Sequence, residues 1–224
     1  MVRNRRILGA GVVIALVLAA ILTAVAARSH GVGVAEAMTA AGCTYRDVAP
    51  YPPNDGVNYH NDVPRLTATP RWTTFPPSAG AHYRLWATWG FYRRPVKPAM
   101  VVHNEEHGGV IIWWGQRVPA ATVDRLAAFY RQQPVGMLGT PIDGLGAKIA
   151  LTAWTADPAW KGEPGLAYLH GHYGTGHIAV CPQFDERAFA TFRDAYRGKS
   201  PQGFPLEEDR PGCGPLTTCR VSPR

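Results

Sequence analysis

Apolar and polar positions divide this chain sharply. Ile7 to Ala27 is an uncharged run in which Thr23 is almost the only polar residue. About 21 residues of helix at 1.5 Å each span roughly 31 Å, enough to cross the hydrocarbon core of a bilayer. The run predicts a transmembrane helix over 7–27. Arg3, Arg5 and Arg6 precede it. The positive-inside rule therefore places residues 1–6 in the cytoplasm and the rest outside, and Arg28 weakens that bias without reversing it. The alternative is a cleaved signal peptide with Ala24-Val25-Ala26 as its site, but signal cores are shorter, about 7–15 residues. Residues 28–40 are small and weakly patterned and read as a stalk. Residues 41–205 read as one extracytoplasmic domain and 206–224 as an irregular tail.

Within the domain the pattern changes again. Tyr45 to Pro98 is dense in Pro, Gly, Asn and aromatic residues, so little regular structure is expected there. A long irregular segment inside a domain is often functional. Trp72, Trp86, Trp89, Phe91 and Tyr92 imply that it packs down. Val110 to Trp114 is a β-prone run. Val123, Leu126, Ala127 and Tyr130 then recur at helical spacing behind Pro119, and Gln132-Gln133-Pro134 closes that helix. Lys148 to Trp154 alternates like a strand. Asp185 is placed to cap a helix whose Ala188, Phe189, Phe192 and Tyr196 share a face, with Gly198 as its stop. This order predicts an α+β fold: a small, mainly antiparallel sheet with helices on one face, a long irregular N-terminal segment, and one transmembrane helix before it. No internal repeat is found.

Charge removes one class of partner. The formal net charge is +7, but three of those charges sit in the cytoplasmic stub and the remainder is spread thinly. Without a basic run there is no nucleic-acid footprint. All four cysteines, Cys43, Cys181, Cys213 and Cys219, fall on the outer side of the span. An even number in an oxidising compartment reads as disulfides. Cys213 and Cys219 flank a short loop and suggest a local clip, which leaves Cys43 for Cys181. No C-x-x-C favours thiol metal ligation or redox chemistry.

Candidate chemistry concentrates in Val101-Val102-His103-Asn104-Glu105-Glu106-His107-Gly108-Gly109-Val110. Ionisable groups between apolar runs need partners. The string fits H-x-x-E-H, in which two histidines bind zinc and Glu106 is the general base. The β-branched flanks and the glycine pair favour strand and turn over a long helix, which argues against a zinc peptidase. On an extended strand His103 and His107 stand about 13 Å apart, and on a helical turn about 6 Å. Sharing one ion therefore requires a turn at 103–107, entering a strand at the glycine pair. His60 and His82 lie in the irregular segment, and His170, His172 and His177 in a Gly/His loop. Each also reads as a hydrogen-bonded loop residue, and the Gly/His stretch as a flexible surface loop. Ser78 lacks the glycines of a nucleophile elbow, and no Walker or dinucleotide fingerprint is present.

Five ordered motifs resemble the domain-of-unknown-function family 3105, a group of typically membrane-anchored bacterial proteins common in actinobacteria. They are Phe75-Pro76-Pro77-Ser78-Ala79-Gly80-Ala81-His82-Tyr83, Trp89-Gly90-Phe91-Tyr92, Val102-His103-Asn104-Glu105-Glu106-His107-Gly108-Gly109-Val110, Ala150-Leu151-Thr152-Ala153-Trp154 and Cys181-Pro182-Gln183-Phe184-Asp185. They span roughly residues 41 to 205. The resemblance carries over His82, His103, Glu106, His107 and Gly108, and it supports the pairing of Cys43 with Cys181. Ala79 departs from the family pattern at its turn, and the His170–His177 loop resembles an insertion. The resemblance implies one candidate site, His82 meeting His103, Glu106 and His107, and no assigned activity.

Three functions follow as expectations. The first is a membrane-anchored extracytoplasmic domain that binds divalent copper or zinc through His82, His103 and His107, with Glu106 as a ligand or an orienting partner. The second is a metal-free envelope module with a structural His/Glu network, binding a protein or glycan partner. The third is a metal-dependent hydrolase with Glu106 as base.

Overall fold

The structure, a computed structural model, describes residues 33–203 and 206. The expected membrane span, its cytoplasmic stub and the cysteines Cys213 and Cys219 lie outside the described residues. Among the described residues, no helix is long and apolar enough to cross a membrane.

In chain order the elements are α1 (Val34–Ala40), β1 (Thr44–Val48), β2 (Gly90–Phe91), α2 (Pro98–Glu106), β3 (Val110–Trp114), α3 (Ala120–Gln132), β4 (Met137–Pro141), β5 (Ile149–Thr155), β6 (Thr175–Cys181) and α4 (Glu186–Tyr196). Short 3-10 turns form at Tyr59–Asp62 and Pro164–His170. The strands make one six-stranded sheet in the order β1-β6-β5-β3-β4-β2. The class is α+β, as expected, but the sheet is mixed. β1, β6, β5 and β3 pair antiparallel, whereas β4 runs parallel to both β3 and β2. The cause is α3. It crosses over from β3 to β4, and such a crossover returns the chain parallel to its start. Gly139 and Pro141 hide β4 from a strand reading, because neither residue favours strands. Gly139 has a packing reason: a Cβ there would lie 2.3 Å from the ring of Phe91, which stacks at 4.7 Å on Trp114.

Helices cover both faces of the sheet, not one. On the first, α1, α3 and α4 pack Met38, Val123, Leu126, Phe129, Phe189 and Phe192 against Val110, Ile112, Leu151 and Ala179. On the second, α2 and the irregular segment pack Val101, Met100, Tyr83 and Val96 against Ile111, Trp113, Leu138 and Ala150. A doubly covered strand reads as a continuous apolar run, which is what Val110 to Trp114 is. The two helices foreseen from their spacing form as expected. Asp185 caps α4 by accepting a hydrogen bond from the Ala188 N–H at 2.9 Å.

Two local expectations change. Val34–Ala40, assigned to the stalk, is a helix that buries Met38 in the first core. Thr44–Val48, all but its first residue in the segment expected to be irregular, pairs along β6. The Cys43–Cys181 disulfide joins the start of β1 to the end of β6 across a separation of 138 residues.

The largest change concerns the histidine string. Pro98–Glu106 is a helix, not a strand and turn. Pro98 starts it well, because the first turn needs no N–H there. Ala99 through Glu106 are all buried, so no polar face breaks the sequence into a helical period. Gly108 ends it at φ +80°. The Gly108 N–H bonds the Glu105 carbonyl and the Gly109 N–H bonds the Asn104 carbonyl, both at 2.9 Å, the paired closure of a Schellman motif. A strand begins directly after it.

Candidate metal centre

Helix α2 sets out the first part of the site. One turn separates His103 from Glu106 and His107, so all three lie at its C-terminal end. The negative end of the helix dipole favours a cation there. Residues 82–87 run beside α2 and are tied to it at three points. The Tyr83 N–H bonds the Ala99 carbonyl at 3.0 Å, Asn104 Nδ2 donates to the Ala87 carbonyl at 2.8 Å, and the Ala87 N–H bonds Asn104 Oδ1 at 3.0 Å. That strap brings His82 to the helix. His60 arrives on the 3-10 turn at Tyr59–Asp62, which Asn58 caps by accepting from the His60 N–H at 2.8 Å. The turn is anchored by Tyr59, buried among the rings of His82, Trp154, Tyr168 and Tyr173.

One ligand atom each from His60, His82, His103 and Glu106 lies within 4.8 Å of every other. His82, His103 and Glu106 are buried and His60 is partly exposed. Measured to Glu106 Oε2, the Nε2 atoms stand at 3.1 Å for His82, 3.7 Å for His60 and 3.9 Å for His103. Zinc bonds of about 2.0–2.2 Å in tetrahedral array place neighbouring ligand atoms roughly 3.3–3.6 Å apart, so these spacings suit convergence on one ion.

Hydrogen bonds fix which atoms converge. His82 Nδ1 lies 2.7 Å from the Gly80 carbonyl and His103 Nδ1 lies 2.6 Å from the Tyr83 carbonyl. A carbonyl only accepts, so each Nδ1 carries a proton and each Nε2 is the atom turned inward. An imidazole held in this way by a backbone carbonyl is the usual support of a metal-binding histidine. Glu106 is held from behind. Gln202 Nε2 donates to its Oε1 at 2.6 Å and the Tyr168 hydroxyl at 3.5 Å, which leaves Oε2 to face the histidines. Ser200 donates to the Glu106 carbonyl at 2.7 Å. His60 Nε2 is buried without a hydrogen-bond partner.

Electrostatics favours the ligand forms of His60, His103 and Glu106. Burial, then the charge of His82, lowers the pKa of His60 to about 4. The same two causes hold His103 well below the ordinary range. Burial opposes ionisation of Glu106, but the facing histidines, His82 first, outweigh it and hold the carboxyl below its usual value. Neutral His60 and His103 beside an ionised Glu106 suit a divalent ion.

The chain belongs to the DUF3105 family, proteins of unknown function. The match covers residues 67–207. Within this DUF3105 chain, the matched stretch carries His82, His103, Glu106 and His107, while His60 precedes it. No curated protein matches, and neither does any solved structure.

Of the residues the sequence pointed to, His82, His103 and Glu106 come together. His107 stands at the rim: its Nε2 is 3.1 Å from His103 Nε2, and its ring lies against Trp86 at 5.4 Å, but it is not one of the four convergent groups. His60 takes the fourth place, although its local sequence looks like an ordinary turn. Its signal was weak because Asn58-Tyr59-His60 says nothing of where the turn docks. Gln202 and Tyr168, whose side chains hold Glu106, had no sequence signal at all. The Gly/His stretch does not join the site. His177 lies in β6, bonded through Nδ1 to Asp47 at 2.7 Å and through Nε2 to Thr155 at 2.8 Å. His172 pairs with Asp157 at 2.7 Å, and His170 stacks on Trp160 at 5.0 Å.

Proposed function

We propose that this protein binds a divalent transition-metal ion, zinc or copper, through His60, His82, His103 and Glu106. One observation carries the reading. His82 Nε2 and Glu106 Oε2 face each other at 3.1 Å while the other nitrogen of His82 is committed to a carbonyl. A ring nitrogen and a carboxylate oxygen at that distance share a positive charge, either a proton or a metal ion. A proton would serve for this pair alone. An ion serves His82, His103 and the orphaned Nε2 of His60 together. The unpartnered His60 Nε2, 3.7 Å from Glu106 Oε2, ranks the metal-free envelope module second. A hydrolase using Glu106 as its base is disfavoured, because Glu106 is held on one side by Gln202 and faces histidines on the other.

The setting we propose is extracytoplasmic. The apolar run 7–27 would anchor the chain with its N-terminus in the cytoplasm, and the Cys43–Cys181 disulfide supports an oxidising compartment. The test is direct. Full-length protein, purified oxidised and without a polyhistidine tag, is loaded with zinc or copper, desalted and assayed for metal. One ion per chain, lost in His82→Ala and His103→Ala, is expected. No retained ion with either metal would reject the reading.

A further inference from the structure

The cluster opens on a pocket among the described residues. A pocket of about 660 Å³ is lined by His60, His103 and Glu106, and His82 is not among its lining residues. His82 is fully buried behind them. An ion bound by these four groups is therefore reached from the pocket, across from His82. The volume falls in the range of small-molecule sites, roughly 300–1,000 Å³.

The pocket wall is mixed. Trp86, Tyr168 and Leu169 supply apolar surface, and Leu169 is 57% exposed at the mouth. Arg84 stands on the same wall. It makes no ion pair among the described residues, and its contact with Asn61 Oδ1 is a long one at 3.3 Å. A divalent ion and Arg84 outweigh the one carboxylate, Glu106, and leave the pocket net positive. A recessed positive pocket concentrates anions and repels cations. A guanidinium fork matches a planar carboxylate in particular.

We infer that the pocket takes a small organic carboxylate, which adds a fifth donor to the four-ligand ion from the side away from His82, pairs with Arg84 and lays its apolar part against Trp86 and Leu169. The inference rests on the metal reading above.

Cobalt(II) bound at this site gives a visible spectrum that reports changes in its ligands. The full chain, loaded with cobalt, is titrated with benzoate, acetate and inorganic phosphate. A saturable spectral change with benzoate is expected, with acetate about tenfold weaker because it lacks the apolar part. Arg84→Gln should weaken benzoate about tenfold, the value of one charge-assisted contact, at unchanged cobalt content. A cobalt-loaded protein whose spectrum ignores benzoate would overturn the inference while leaving the metal site standing. Phosphate equal to benzoate, or Arg84→Gln equal to the parent, would also overturn it. Failure to take up cobalt, zinc or copper would instead reject the metal site, and the carboxylate site with it.

Discussion

Asn104 and Ala87 exchange two hydrogen bonds, at 2.8 and 3.0 Å, between fully buried groups. The pair joins the strap of residues 82–87 to the helix that bears His103 and Glu106. Asn104→Ala would leave the Ala87 N–H and carbonyl buried without partners, at about 1–3 kcal/mol each. A loss of roughly 2–5 kcal/mol in denaturant unfolding is expected, together with weaker metal uptake. Unchanged stability would show that the strap is held elsewhere.

The identity of the fourth ligand separates the structure from the sequence pattern. His60→Ala should weaken metal binding by more than about 100-fold. His107→Ala should cost less than that, about 10- to 100-fold, the range of a supporting residue. Competition titration against a chromogenic chelator measures both. The opposite ranking would place His107 in the ligand shell.

Acid should destabilise the metal-free protein. The unfolded chain protonates His60 below about pH 6.5, whereas burial and the His82 charge keep the folded form neutral down to about 4. The unfolded state then binds the extra proton, so stability falls as pH drops through that window, by about 1.4 kcal/mol per pH unit per proton. His103, depressed in the same direction, adds to it, and Glu106 extends the loss below about pH 4.5. Urea midpoints at pH 7, 6 and 5 in chelator check this, and His60→Gln should flatten the slope by about one proton. A midpoint that does not move with pH would contradict the burial of neutral imidazoles.

Reducing the Cys43–Cys181 bridge should lower stability by several kcal/mol. A closed loop of 138 residues corresponds to about 5 kcal/mol of chain entropy, an upper figure because unfolded chains are not ideal. The double variant Cys43→Ala with Cys181→Ala, followed by thermal unfolding against the parent, measures it. A shift of less than about 1 kcal/mol would mean that the sheet holds both ends without the bridge.

Gly108→Ala tests how the rear of the site is held. Gly108 has φ +80°, and a Cβ would come within 3.1 Å of the Gly198 backbone and 3.2 Å of the Ser200 nitrogen. The Gly198 N–H bonds the Gly108 carbonyl at 2.8 Å, and the same stretch delivers Ser200 and Gln202 to Glu106. Strain of about 1–3 kcal/mol is expected, with metal affinity falling as Gln202 moves. An affinity equal to the parent would free Gln202 of a role in holding Glu106.

By itself the sequence determined what depends on local pattern and composition. Helices α3 and α4 were legible because each exposes one face, so their apolar residues repeat at helical spacing. Strand β3 was legible as a continuous apolar run, and the motifs around His82 and His103 to His107 were enough to place the family. Tertiary structure decided the rest. α2 is buried on every side, so nothing in its pattern separates helix from strand. β4 is a strand because β3 and β2 flank it, with Gly139 present for the Phe91 ring rather than for strand propensity. The site was half legible for the same reason. Spacing could pair His103 with Glu106 because they share one turn of helix. Only the docking of the Tyr59–Asp62 turn and of the 198–202 segment could bring His60 and Gln202 to that carboxylate, since chain separation carries no record of a contact made through the fold.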